Sequence, residues 1–538
     1  MAEYPGGMEH TTCTTQTDAI LIDKRAALDN DLDLLVAHEL AHQWFGDLVT
    51  CRDWSHAWLN EGFATYFEVL FQKHDKGGDE ADYELYHNAK VYFDEESRRY
   101  RRPIVCNTFK YPWTVFDRHT YEKGCWVLRM LHNELGEDLW WKVINHYLRK
   151  FRDQSVETAD LIETIEEVSG RNLKPFFDQW IFKNGHPSFR LHYGWDAKTK
   201  KGNLWVLQTQ DISQDCPLFK TSVEVRFTGP GWTKNFKEKI SEKEHRFSFR
   251  LPSEPFNVEF DPDHLILKKM TLRKPQKMWA FQLIKGRSAW SRFAAAAPVA
   301  QWGDAASLEM LERAIRREPF WGAACEMVRA LGSVKTESAF QRLKGLLKIK
   351  NPKVRRVVIE ALSQFSHPAA GPLLAPFARR DPSLHVQAEA CRALGALRDP
   401  KWLPLLRSKL KERSYRDVVS SGALSGLASS RDVSALEILR RNSLPPHSAY
   451  HRLTAIRALS DYYKIWPDAV PWICNLITDP DERVNLYAIT LLGQLEDERA
   501  LGALQTAQKD PNSRVRAYAD EAVEKISAGI EAKNNKKK

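Results

Sequence analysis

The chain has 538 residues, 43% hydrophobic and 28% charged, a length that accommodates roughly three or four domains of ~150 residues and a balance that excludes a wholly disordered polypeptide. Net charge is +9, from 79 Lys and Arg against 70 Asp and Glu, and Lys533, Lys536, Lys537 and Lys538 carry four of the nine; what remains is too mild to implicate nucleic acid as a partner. Apolar runs stay well short of the ~18–20 residues that a membrane-spanning helix requires.

Eight scattered cysteines form no CxxC pair, which argues against a thiolate zinc site or a thioredoxin-like motif and for reduced thiols. The first ten residues, MAEYPGGMEH, lack the basic start and apolar stretch of a secretory signal. The compartment is left unknown, the reduced thiols favouring a cytoplasmic one.

In chain order, Gly6–His10 reads as an extended segment with Glu9 on a strand edge. Leu34–Trp44 carries apolar residues at helical spacing, Trp58–Phe71 and Tyr121–Leu135 repeat the pattern, and Val156–Val168 ends at Gly170. Trp44, Trp58 and Phe63 are expected in the core, and Cys125 as inert packing. Near residue 187 the period changes to two. Phe189–Tyr193, Thr221–Phe227, Phe247–Leu251 and Val258–Phe260 alternate apolar and polar residues between turn candidates Gly202-Asn203, Gly229-Pro230-Gly231 and Pro252-Ser253, predicting antiparallel strands of a small β-sandwich over 187–272.

From 285 onward a helical repeat takes over. Asn351-Pro352, Asp381-Pro382, Asp479-Pro480 and Asp510-Pro511 recur, the first two 30 residues apart and the last two 31, each followed by a valine: Val354, Val386, Val484, Val515. Asn or Asp is read as the helix cap and Pro as the first helical residue. The pattern resembles HEAT-type repeats and implies an α-solenoid over 285–528, with 529–538 a frayed basic tail. Such a stack either buries only its neighbours or offers a surface to a protein partner. The predicted fold class is multidomain and mainly α.

The run VAHELAHQWFG carries the chemistry. His38 and His42 are four residues apart, so on a helix both imidazoles face one way and can grip one Zn²⁺, with Glu39 directed at a metal-bound water. A third ligand is expected from a second helix: Glu61 lies in the aromatic run WLNEGFATYFE, nineteen positions beyond His42 with eighteen residues between, where a carboxylate is costly unless a metal or donor meets it. Three protein ligands leave a fourth position for water, the mark of a catalytic site.

HELAH, eighteen residues and then Glu within NEG resembles the gluzincin pattern of the M1 aminopeptidase family. GGMEH is similar to that family's GxMEN motif, TYEKGCWVLRML to its tyrosine-bearing helix start, FFDQWIFKNGHP to the end of its catalytic domain and VEFDPDHLILK to the close of its β-domain. The resemblance covers about residues 1–270. It implies a thermolysin-like, α-rich catalytic domain, here partial over 1–186, and one zinc ion held by His38, His42 and Glu61. Glu39 would be general base and Tyr121 the hydrogen-bond donor to the oxyanion. Glu9 would pair with the free α-amine, which disfavours an endopeptidase, and Gly6 and Gly7 would admit the substrate backbone. His10 stands where the motif has Asn, and His119 receives no role. The sequence opens almost at GGMEH, so the expectation is an N-terminally truncated member. The expected function is a zinc-dependent aminopeptidase acting on peptides with a free N-terminus; the alternative is a catalytically impaired scaffold.

Overall fold

The computed structural model describes residues 6–463, 465–466 and 468–535. The chain forms two compact units, one combining residues up to Ile20 with Asp31–Met327, the other combining Leu21–Asn30 with the chain from Val328 onward. Among the described residues no helix is long and apolar enough to cross a membrane.

The first unit opens with a small hairpin, β1 (Gly7–Met8) and β2 (Thr15–Gln16), paired antiparallel. Then come helix α1 (Asp33–Ala41), strand β3 (Val49–Cys51), and the long helices α2 (Trp58–Asp75) and α3 (Gly78–Arg98). A π-helical turn over His119–Lys123 leads into α4 (Gly124–Leu135), followed by α5 (Glu137–Lys150), strand β4 (Gln154–Val156), α6 (Thr158–Ser169) and α7 (Lys174–Trp180). Gly170 ends α6 in the left-handed conformation, φ +65°. Trp58, Trp126, Trp140 and Trp180 are each 1% exposed or less, and they anchor one continuous core together with Phe63 and Tyr66. Cys125 is buried among them. Trp44 does not join this core; it is 46% exposed, because α1 ends at Ala41 and the chain turns away before reaching it.

The β region is a two-sheet sandwich. One sheet has the order β10 (Asn257–Phe260), β7 (Thr221–Gly229), β8 (Trp232–Ile240); the other has β11 (Lys269–Arg273), β5 (Ser188–Asp196), β6 (Lys201–Gln208), β9 (Glu244–Arg250). Two expectations need correcting. β11 runs parallel to β5, so the pairing is not wholly antiparallel. Gly202-Asn203 is not a turn but lies inside β6, paired to both β5 and β9. The glycine answers to packing: a Cβ there would sit 3.1 Å from Leu251 Cδ1 and 3.2 Å from Tyr193 Cε2. A further helix, α8 (Gln276–Lys285), follows the sandwich and precedes the expected start of the helical region.

The second unit is a stack of short helices with an apolar interior in which Val354, Val386, Val484 and Val515 are at most 3% exposed. The expected capping holds at Asn351, whose side chain accepts from the Lys353 and Val354 amides with Pro352 next. Elsewhere it shifts. The helix after Pro382 begins at Leu384 with Ser383 as cap, and the helix after Pro480 begins at Glu482 with Asp481 as cap. The aspartates before these prolines serve a different purpose: Arg355 Nε and one terminal nitrogen each donate to Asp381 at 2.8 Å, and Arg452 pairs with Asp479. Guanidinium–carboxylate contacts thus tie the helices carrying Arg355 and Arg452 to the turns that precede Leu384 and Glu482. Leu21–Asn30 packs into this unit. Arg25 donates to the carbonyls of Pro382 and Asp381 at 3.1 and 3.2 Å, and the Ser383 hydroxyl donates to Asp29 at 2.9 Å. The basic tail is also corrected: the last helix runs over Ser513–Asn535, and residues 536–538 of the expected tail lie outside the described residues.

Candidate active site

Two glycines create the site's scaffold. A Cβ on Gly62 would lie 3.2 Å from Gly124 Cα and 3.3 Å from the Thr120 carbonyl, and one on Gly124 would lie 3.1 Å from Gly62 Cα. Helix α2 and the start of α4 therefore touch backbone to backbone. This brings Glu61, one residue before Gly62, close to Tyr121 on the π-helical turn before Gly124. That turn is pinned from its N-terminal side. Asp117 Oδ1 accepts from the His119 and Thr120 amides at 2.9 and 3.2 Å, while Arg102 grips both Asp117 oxygens at 2.5 and 2.9 Å. The Arg102 charge and these donors outweigh burial and hold the Asp117 carboxyl well below its usual range.

Helix α1 supplies His38, and His42 follows at its C-terminal cap. The Nε2 atoms of both imidazoles lie 3.3 Å from the same oxygen of Glu61, Oε2. Their other nitrogens are committed outward. His38 Nδ1 is 2.6 Å from Glu68 Oε1, and His42 Nδ1 is 2.8 Å from the Phe45 carbonyl. Outer partners of this kind fix the tautomer and turn the Nε2 lone pairs inward. One ligand atom from each of His38, His42 and Glu61 lies within 4.8 Å of the others, a His₂Glu donor set that fits a divalent metal ion. Electrostatics agree. Burial opposes charge on both partners, yet hydrogen bonding to Glu61 and Glu68 drives His38 up and hydrogen bonding to the imidazoles drives Glu61 down.

Glu39 is 4% exposed, its Oε2 has no hydrogen-bond partner among the described residues, and burial chiefly pushes its carboxyl up to about 7. Gly7 adjoins it, and a Cβ on Gly7 would overlap the Glu39 carboxylate. Gly6, with φ +83°, has open space around it. Gly6, Gly7, Glu9, Glu39, Glu61, His38, His42 and Tyr121 all line one cavity of about 1190 Å³. Glu9 follows β1 directly, and a carboxylate oxygen of Glu9 lies within 4.8 Å of ligand atoms of Glu39 and His42. The Tyr121 ring stacks beside that of His38, centroids 6.1 Å apart. Burial and the neighbouring Glu61 charge push its phenol upward, so it stays a proton donor. His10 hydrogen-bonds the Thr15 hydroxyl at 3.0 Å.

Sequence reasoning left Glu68 and the Phe45 carbonyl unassigned. Glu68 had a readable signal, since it stands seven residues after Glu61 and so on the same face of α2; the carbonyl had none. A second cluster, Glu95, Asp117 and His119, also satisfies ligand spacing, but Arg102 already occupies both oxygens of Asp117.

Residues 2–180 match the Peptidase family M1 domain, and residues 308–383, 371–460 and 444–524 match HEAT repeats. The chain is 34% identical over 214 residues to aminopeptidase M1-A of Oryza sativa subsp. japonica, covering 39% of this chain and 24% of that protein. It is 35% identical over 190 residues to glutamyl aminopeptidase of Sus scrofa, covering 34% and 20%. The match thus spans between a fifth and a quarter of the length of these relatives. The crystal structure of Legionella pneumophila aminopeptidase A in complex with aspartic acid superposes with a TM-score of 0.68 at 16% identity, covering 97% of this chain and 69% of that one; this likeness shows the shared fold.

Proposed function

We propose that this chain, which carries a peptidase family M1 domain followed by HEAT repeats, is a zinc-dependent aminopeptidase that hydrolyses the first peptide bond of substrates with a free N-terminus. The observation that carries the reading is the convergence of His38 Nε2 and His42 Nε2 on Glu61 Oε2, 3.3 Å from each, beside a buried carboxyl with an uncommitted oxygen. Zinc bound by His38, His42 and Glu61 would supply a Lewis acid toward the scissile carbonyl and a water acidified to a pKa of ~7. Glu39 takes the proton of the attacking water on its carboxylate and returns it to the leaving amine; a carboxyl near neutrality suits both transfers. Tyr121, kept protonated by its surroundings, donates to the oxygen as charge develops there. Glu9 pairs with the α-ammonium and limits cleavage to the first residue. The helical repeats offer a separate surface on which a protein partner can dock.

The test uses the 538-residue chain loaded with zinc and an alanyl-p-nitroanilide reporter. Glu39→Gln is expected to retain zinc and to lose about 10²–10⁴-fold in kcat. Zinc-loaded protein that ignores aminoacyl amides, or that cleaves N-acetylated peptides equally well, overturns the aminopeptidase reading; the first result leaves the scaffold alternative.

A further inference from the structure

We infer that Arg102 and Asp117 are positioning residues for Tyr121: their ion pair holds the π-helical turn in the register that sets the phenol at the cavity wall, so the pair governs the reaction through Tyr121 while touching no substrate. This inference rests on the aminopeptidase reading and adds to it two residues that the motif comparison leaves without a role. Tyr121 lines the active-site cavity, whereas Arg102 and Asp117 are not among its lining residues.

The turn is unusual in its hydrogen bonding. The Lys123 amide donates to the Arg118 carbonyl at 2.9 Å, five positions back, one more than in an α-helix. Such turns are rare and concentrate at functional sites. The Gly62–Gly124 contact holds its C-terminal end. Asp117 holds the other end. Its side chain accepts from the His119 and Thr120 amides at 2.9 and 3.2 Å, and its carbonyl accepts from the Thr120 and Tyr121 amides at 3.1 and 3.2 Å. The Tyr121 backbone therefore hangs directly on Asp117.

Asp117 is fixed in turn by a guanidinium whose N–H groups are all engaged. Arg102 Nε donates to Asp117 Oδ2 at 2.9 Å, and Nη1 donates to the Pro103 and Ile104 carbonyls at 2.8 and 2.7 Å. Nη2 donates to Asp117 Oδ1 at 2.5 Å and to the Val115 carbonyl and the Thr120 hydroxyl at 2.9 Å each. The Thr120 hydroxyl gives its own proton to the Val115 carbonyl at 2.6 Å, and the Tyr100 hydroxyl donates to Asp117 Oδ2 at 2.8 Å. The Arg102 and Asp117 side chains are 11% and 4% exposed, so water has little access to replace a lost member. The Tyr121 ring meets those of His38 and Phe116 at centroid separations of 6.1 and 6.5 Å, contacts too loose to fix the phenol, whose place follows from the turn. A lysine at 102 keeps the charge, but its single nitrogen cannot span both Asp117 oxygens and the surrounding carbonyls. A shift on the order of 1 Å at a reacting group costs about 100-fold in rate.

The experiment uses the zinc-loaded 538-residue chain and alanyl-p-nitroanilide. Arg102→Lys is expected to lower kcat about 30–100-fold, with KM and zinc content nearly unchanged. Thr120→Val, which removes one hydroxyl from the network and leaves the ion pair in place, is expected to lower kcat about fivefold. In a Tyr121→Phe background both substitutions should become nearly silent, because the group they position is gone. A readout without turnover is the affinity for 1-aminoethylphosphonate, a tetrahedral anion, measured by calorimetry; it should fall in Arg102→Lys in step with kcat, while affinity for alanine holds. A kcat within about twofold of wild type in both variants overturns the inference. An equal loss with and without the Tyr121 hydroxyl also overturns it, since the pair would then support the fold at large. If Arg102→Lys fails to fold, the Thr120→Val comparison in the two backgrounds decides by itself. Wild-type protein that leaves the reporter uncleaved overturns the aminopeptidase reading instead.

Discussion

Replacing Glu68 by alanine removes the only protein group that holds the outer nitrogen of His38 among the described residues, a contact of 2.6 Å. The imidazole would keep its place on α1 but lose the partner that fixes its tautomer and orientation. Loss of such a partner typically weakens metal binding by 10–100-fold, or about 1.4–2.7 kcal/mol. The contact is not sealed: the His38 and Glu68 side chains are 12% and 16% exposed, so water can take over part of the role, and a loss of about tenfold is expected. Glu68→Gln, which keeps a hydrogen bond but not the charge, should fall between wild type and alanine. The assay is zinc affinity at neutral pH by competition with a chromogenic chelator, independent of any substrate. Zinc affinity within about twofold of wild type in both variants would refute the argument that Glu68 orients a ligand.

Two other expectations follow from groups near the site. Gly7→Ala sets a methyl group into the Glu39 carboxylate and should cut kcat by about a hundredfold while zinc content is unchanged; full activity would mean that Glu39 does not need its present position. Lys123, the last residue of the π-helical turn, is fully buried and donates to the Lys183 carbonyl at 3.5 Å, and burial lowers its pKa from 10.5 to about 7. Between those two values the unfolded chain binds the proton and the folded chain does not, so stability rises with pH across that window. In Lys123→Met this contribution is gone, and the difference in Tm between wild type and variant should shift in favour of wild type as pH rises from 7 toward 10. Parallel Tm curves would show that Lys123 keeps its proton in the fold.

The convergence of His38, His42 and Glu61 was legible because its pattern leaves a rigid imprint: His38 and His42 at one helical turn, and Glu61 in a run too apolar to tolerate a carboxylate without a partner. The helical repeat was legible through the period of its Asn-Pro and Asp-Pro pairs, although the reason for the aspartates was not. Asp381 and Asp479 look like caps locally, yet they answer arginines 26 and 27 residues earlier, and a contact at that separation leaves no periodic trace. Gly202 looked like a turn because glycine serves both turns and tight interstrand packing, and only its neighbours Leu251 and Tyr193 decide between them. Gly7 illustrates the same ambiguity, its crowding by Glu39 being tertiary. The packing of Leu21–Asn30 into the helical unit was invisible for a similar reason. Arg25 and Asp29 find partners more than 350 positions away, and nothing in the local pattern distinguishes them from a solvated loop.

The central claim is that one metal ion sits between two imidazoles and a carboxylate contributed by neighbouring helices. Anomalous diffraction at the zinc edge from crystals of the zinc-loaded chain tests it most directly. The account predicts a single peak bonded to His38 Nε2 and His42 Nε2 at ~2.0–2.1 Å and to a Glu61 oxygen at ~2.0–2.2 Å. A peak at Glu95, Asp117 and His119 instead, or no peak between α1 and α2, would contradict it.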